Sequence, residues 1–164
     1  MKRPVKRHEA LEPLSIEHHY GLLLCWKIRE DLSNNIETER IKDYTDWFKR
    51  NYLEPHFEIE EKYIFPVLGK NNVRVKRALA NHRRLKRLFD DTSEVNKALN
   101  RIEEELSRYI RFEEDILYNE IQSVASPRQL VEIEKHHQSI KFSDDEWEDR
   151  CGISVRYNSS FSQL

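Results

Sequence analysis

The sequence predicts an all-α protein: an antiparallel up-down-up-down four-helix bundle with a short C-terminal helix and a tail. Three observations carry this expectation. Turn-forming residues are scarce, with 3 Gly and 5 Pro in 164 residues, whereas 35% are charged and 38% hydrophobic. Long β-meanders need frequent turns, and helices with charged outer faces do not. Apolar residues recur at spacings of three and four over four long stretches. The breaks between those stretches are short, which makes consecutive helices antiparallel neighbours.

The first stretch, about Pro13 to Leu32, places Leu14, His18, Leu22, Cys25, Ile28 or Arg29, and Leu32 on one face. Ser33-Asn34-Asn35 breaks it, with Asn35 as the expected N-cap of the next helix. The second stretch, about 37–68, turns Ile41, Tyr44, Phe48, Tyr52, His56, Ile59 or Glu60, and Tyr63 inward. Pro55 lies inside it and is expected to open the hydrogen-bond ladder there. Gly69 is a suitable terminator. The third stretch, about 73–89, buries Val75, Ala78, Leu79, His82, Leu85 and Phe89, and Asp90-Asp91-Thr92-Ser93 forms a turn or cap. The fourth, about 94–124, carries Leu99, Ile102, Leu106, Tyr109, Glu113 and Leu117 on one stripe. Ser126-Pro127 then reads as an N-cap followed by proline at the first helical position of a short fifth helix. Residues 1–142 are expected to form the bundle domain, and 143–164 an acidic, aromatic segment (SDDEWED) and polar tail.

The remaining composition narrows the function class. A formal net charge of −2 gives no global pull toward nucleic acid or membrane. The basic run RVKRALANHRRLKRLF is accounted for as the wet face of the third helix. No stretch approaches the ~18 apolar residues of a membrane span, and MKRPVKRHEALEP lacks the apolar centre of a signal peptide. Two cysteines, Cys25 and Cys151, do not make a disulfide framework, and Cys25 sits in an apolar run. A reduced cytoplasm is the expected compartment.

The unusual feature is a set of ionisable groups on apolar stripes. His18, His56, Glu60, His82 and Glu113 all fall on inward faces, and so does Tyr109. Burying a charge costs several kcal/mol unless it is paired or bound to metal. Counted from the turns, the groups lie at compatible heights to within about two turns of helix. His56 and Glu60 stand one turn apart and point the same way, so they can hold a metal together. Imidazole with carboxylate suits iron, manganese or zinc. The doublet Glu60-Glu61 recurs as Glu113-Glu114, 53 residues on, with His56 answered by Tyr109 and Phe65 by Tyr118. A single histidine on an apolar stripe is ordinarily a satisfied core residue; five such groups on four helices favour a metal centre.

LSIEHHYGLLL, PHFEIEEKYIFP, ALANHRRLKRLF and YIRFEEDILYNEI together resemble the hemerythrin-like (HHE cation-binding) family over about residues 8–122. The resemblance implies an antiparallel four-helix bundle with a non-haem di-iron site. It implies ligands from His18 or His19 on the first helix, His56 and Glu60 on the second, His82 on the third and Glu113 on the fourth. Glu60 and Glu113 would bridge two irons. The fourth helix has Tyr109 where the family has histidine, and the third has His82 with Ala78 one turn before it. A ferritin-like site would need Glu-x-x-His on two helices, and only Glu134 to His137 fits. His8, His136 and His137 are expected at the surface.

The resulting expectation is a di-iron protein that binds O₂, NO or peroxide in sensing, redox or iron handling. A di-iron enzyme acting on peroxide, NO or Fe(II) is the first alternative. A metal-free bundle acting as an interaction module is the second. Whether the site holds one metal or two is open, because a changed ligand can leave one ion weakly held.

Overall fold

The computed structural model describes residues 5–137. The expected segment 143–164 lies outside them. The described residues are all helical, with no strand among them. Four long helical runs and a short fifth follow one another: α1 (Glu12–Ser33), α2 (38–67), α3 (Val73–Asp90), α4 (95–124) and α5 (Pro127–His136). No helix among the described residues is long and apolar enough to cross a membrane.

Local chemistry sets the ends. His8 opens the turn before α1, its Nδ1 accepting from the Ala10 N–H at 3.0 Å, and Pro13 sits in the first helical turn, where no N–H is needed. The expected cap role of Asn35 is corrected. Asn35 has φ 57°, and it closes α1 instead of opening α2. Its N–H bonds the Leu32 carbonyl at 3.2 Å and the Ile36 N–H bonds the Asp31 carbonyl at 3.0 Å, the paired bonds of a Schellman motif. The Asn72 side chain caps α3, accepting from Arg74 and Val75 N–H at 2.9 and 3.2 Å. Gly69, with φ 85°, ends α2. Ser126 and Gln129 form a reciprocal capping box on α5.

Two of the long runs are not uniform. α2 consists of α-helical Thr38–Phe48, a π turn Lys49–Leu53, α-helical Glu54–Ile59, a second π turn Glu60–Ile64 and a final 3₁₀ turn Phe65–Val67. The first π turn immediately precedes Pro55, which has no N–H for the ladder. α4 carries its own π turn, Glu113–Leu117, between Val95–Phe112 and Tyr118–Val124. The two later π turns begin at Glu60 and Glu113, the first members of the repeated Glu-Glu doublet.

α4 is the central element. α1 and α3 pack along it, while α2 touches α1, α3 and α4. Leu14, Ile28, Ile41, Leu85, Leu99 and Ile102 are among the fully enclosed apolar side chains. At Gly21 an added Cβ would stand 2.8 Å from Ile110 Cδ1, so the missing side chain lets α1 approach α4. The inner face of α1 is rotated from the expected one. Leu22 is exposed, whereas Glu17, Lys27 and Asp31 are buried. Lys27 Nζ and Asp31 form an ion pair at 2.9 Å, with the ammonium 4.9 Å from the Tyr44 ring centre. Cys25 is buried and free, its thiol pushed up to about 12 by burial, which makes it a packing residue.

Candidate metal centre

Four ionisable side chains from three helices meet in the core. His18 of α1, His56 and Glu60 of α2 and Glu113 of α4 each offer one donor atom, and these atoms lie within 4.8 Å of one another. Donors around one ion at about 2.0–2.3 Å can be no more than about 4.6 Å apart, so this set needs only a small adjustment to share a cation. All four residues are buried. His82 of α3 joins at the edge, with Nε2 3.3 Å from Glu60 Oε1. Tyr109 of α4 faces the same space from one turn before Glu113, its ring 5.4 Å from that of His82. His19 is exposed on the other side of α1, so His18 is the inward member of the His-His pair.

A second layer of contacts aims the imidazoles. His18 Nδ1 lies 2.7 Å from Glu114 Oε1, and Glu114 is itself held by Arg7 at 2.9 Å and the Ser15 hydroxyl at 3.1 Å. His56 Nδ1 lies 2.8 Å from Glu17 Oε1. With Nδ1 occupied by a carboxylate, each ring presents Nε2 to the centre and carries a fixed tautomer. His18 Nε2 then stands 3.3 Å from Glu113 Oε1, and His56 Nε2 3.2 Å from Glu60 Oε1. Tyr118 donates its hydroxyl to Glu60 Oε2 at 2.8 Å and stacks on His18 with ring centres 5.1 Å apart. His82 stacks on Phe57 at 3.7 Å.

Sequence reasoning missed five of these residues: Glu17, Glu61, Glu114, Tyr118 and His137. Glu61 and Glu114 were visible as the second members of the repeated doublet. Each lies toward the outer nitrogen of a histidine from another helix: Glu114 bonds His18, and Glu61 stands 3.7 Å from His82 Nδ1. The expected surface position of His137 is corrected. α5 lies against α2, and His137 is buried with Nε2 3.1 Å from Glu17 Oε1. His136 is exposed as expected, stacked on Tyr63 with ring centres 4.6 Å apart.

The electrostatics are those of a site prepared for positive charge. Burial works against ionising Glu17 and Glu114, but hydrogen bonds and charge from His137, His56 and His18 win and hold both at about 2. Burial would lower His56, yet the Glu60 charge and the Glu17 hydrogen bond lift it to about 9. His18 is lowered, chiefly by burial. Glu60 is held well below the usual carboxylate range by His56 despite its burial. Glu113 is pushed well above it, by burial and then by the Glu60 charge. Burial and the two carboxylates push the Tyr109 phenol well above its ordinary value, so without a cation it stays neutral.

The donors at the centre are not satisfied by the protein. His56 Nε2, His82 Nε2, Glu60 Oε1, both Glu113 oxygens and the Tyr109 hydroxyl are buried without a hydrogen-bond partner. Leaving one such group unpaired costs about 1–3 kcal/mol, and here they converge. A bound cation removes that cost for all of them together, and nitrogen with carboxylate oxygen is a donor set that divalent transition metals accept. Beside them lies a cavity of about 20 Å³, walled by Gly21, Phe48, Leu53, Leu106 and Ile110 as well as His56, Tyr109 and Glu113. That is room for about one water-sized molecule.

The hemerythrin HHE cation binding domain model matches residues 9–97. This chain belongs to that family. The matched stretch contains His18, His56, Glu60 and His82 of the hemerythrin HHE domain and ends before Tyr109 and Glu113. No curated protein and no solved structure matches the chain. Cation binding is thus indicated twice, by the family and by the His/Glu cluster.

Proposed function

We propose that this protein is a non-haem iron protein whose centre holds two irons inside an antiparallel up-down-up-down four-helix bundle. It would bind O₂, or a related small molecule such as NO or peroxide, in sensing, redox or iron handling. The observation that carries this reading is the cluster of unpartnered buried donors, of which His56, Tyr109 and Glu113 line one cavity. Hydrogen-bonded core residues would not leave so many polar atoms unpaired. Iron, when bound, supplies a reducible centre with affinity for these small molecules.

The chain's own residues supply the rest. His18 and His56 present Nε2 because Glu114 and Glu17 occupy Nδ1. Glu60 and Glu113 offset the positive charge, with the Tyr118 hydroxyl steering Glu60. The apolar wall of the cavity limits the water that accompanies an entering molecule. Tyr109 faces the place where a histidine would leave the site neutral. As a phenolate it would favour the ferric state and oppose reversible O₂ carriage, which favours sensing or redox roles over transport.

Protein purified without added metal is expected to contain iron by elemental analysis and to show a visible band when oxidised. Loss of that band in Tyr109→Phe would identify the phenolate as a ligand. Less than about a tenth of an equivalent of any transition metal would overturn the reading.

A further inference from the structure

The donors are unevenly distributed. His18, His56, Glu60 and Glu113 form one compact group, and both of its imidazoles are aimed by short hydrogen bonds to carboxylates, at 2.7 and 2.8 Å. His82 lies outside that group, and its inner nitrogen stands 3.3 Å from Glu60 Oε1. Its outer nitrogen has no hydrogen bond, because Glu61 stops at 3.7 Å. The ring is held by stacking on Phe57 and Phe65 instead. One turn earlier on α3 the fully buried residue is Ala78, which has no donor to give. Across from His82 the fourth helix offers only the Tyr109 hydroxyl.

Resting on the reading of this cluster as a metal centre, we propose that its two positions are unequal. One cation is held tightly by His18, His56, Glu60 and Glu113, and a second, on the His82 and Tyr109 side, exchanges with solution. Two ideas connect the observations to this outcome. Affinity grows with the number of donors, and the first position has two aimed imidazoles where the second has one unaimed imidazole. Glu60 Oε1 faces the Nε2 atoms of both His56 and His82, at 3.2 and 3.3 Å, so the second cation depends on a carboxylate the first already uses. The resident cation keeps the core satisfied, while occupancy of the other follows the free metal concentration.

Titration of the metal-free full-length protein with Co(II) alone, followed by absorption and calorimetry, tests this. Two binding events are expected, with dissociation constants at least about 100-fold apart. His82→Gln should abolish only the weaker event and His18→Gln the tighter one, with helix content checked by circular dichroism. Tyr109→His is a gain-of-function control that does not depend on tolerating a loss: it should tighten the weaker event at least tenfold and leave the tighter one unchanged. Two equivalents of equal affinity, a single event in the wild type, or loss of the tight event in His82→Gln would overturn the proposal. No binding in any form would overturn instead the metal reading on which it rests.

Discussion

Glu17 and His137, 120 residues apart in sequence, share a buried contact of 3.1 Å that ties the last described helix to the first. The same Glu17 oxygen accepts from His56 at 2.8 Å. The end of α5 therefore takes part in orienting an imidazole that it does not touch.

Glu17→Gln keeps the shape but turns a charged acceptor into a neutral one. Metal affinity, measured by competition with a chelator, is expected to fall by about 10–100-fold. His137→Ala should cost less, because Glu17 keeps His56. Wild-type affinity in Glu17→Gln would reduce the pair to a structural tie.

Tyr118→Phe preserves the stacking on His18 and removes the donor to Glu60 Oε2. The metal-free protein should lose about 1–3 kcal/mol in denaturant unfolding, since a buried carboxylate oxygen is left unpaired. A bound cation offsets part of that loss, so the metal-loaded protein should be less sensitive to the substitution.

The pH response has two arms. Glu17 and Glu114 are depressed from an ordinary 4.5 to about 2 when folded. Their contribution to stability is present above about 4.5 and is lost as the pH falls toward 2. His56 is raised from 6.5 to about 9, so its contribution in the metal-free protein is present below 6.5 and lost as the pH rises through 9. A cation needs that imidazole neutral, so apparent metal affinity should rise between pH 6.5 and 9. Urea unfolding and chelator competition over pH 2–9 check the two arms. Flat affinity across pH 6.5–9 would remove His56 from the ligand set.

Far from the centre, Asp31→Ala leaves Lys27 charged and enclosed. A loss of about 3 kcal/mol is expected in thermal or denaturant unfolding. The double change Lys27→Met with Asp31→Leu should recover most of it, which separates the cost of an unpaired charge from the worth of the pair.

Much of the centre was legible because it follows helical periodicity. His56 and Glu60 stand four residues apart, and Tyr109 and Glu113 repeat that spacing on α4. Periodicity favours His18 over His19, whereas the family pattern leaves that adjacent pair open. Leu22 was misplaced. Buried Lys27 and Asp31 form an ion pair, and a period built on apolar residues does not see a polar pair inside. His137 and Glu17 were out of reach because their partnership depends on how α5 docks, which no local signal encodes. The capping box at Ser126 was legible because it is complete within four residues.

The π turns that begin at Glu60 and Glu113 have a mechanical consequence. Each holds more residues per turn than an α-helix, and such turns gather at functional sites. Both therefore carry a little spare chain at the two places where the clustered carboxylates stand. A helix with that slack can lengthen or tighten one turn without displacing its ends. The carboxylates can then follow a change in the size or charge of what they hold while α2 and α4 stay anchored at their termini. The slack in the two helices thus lies where Glu60 and Glu113 stand.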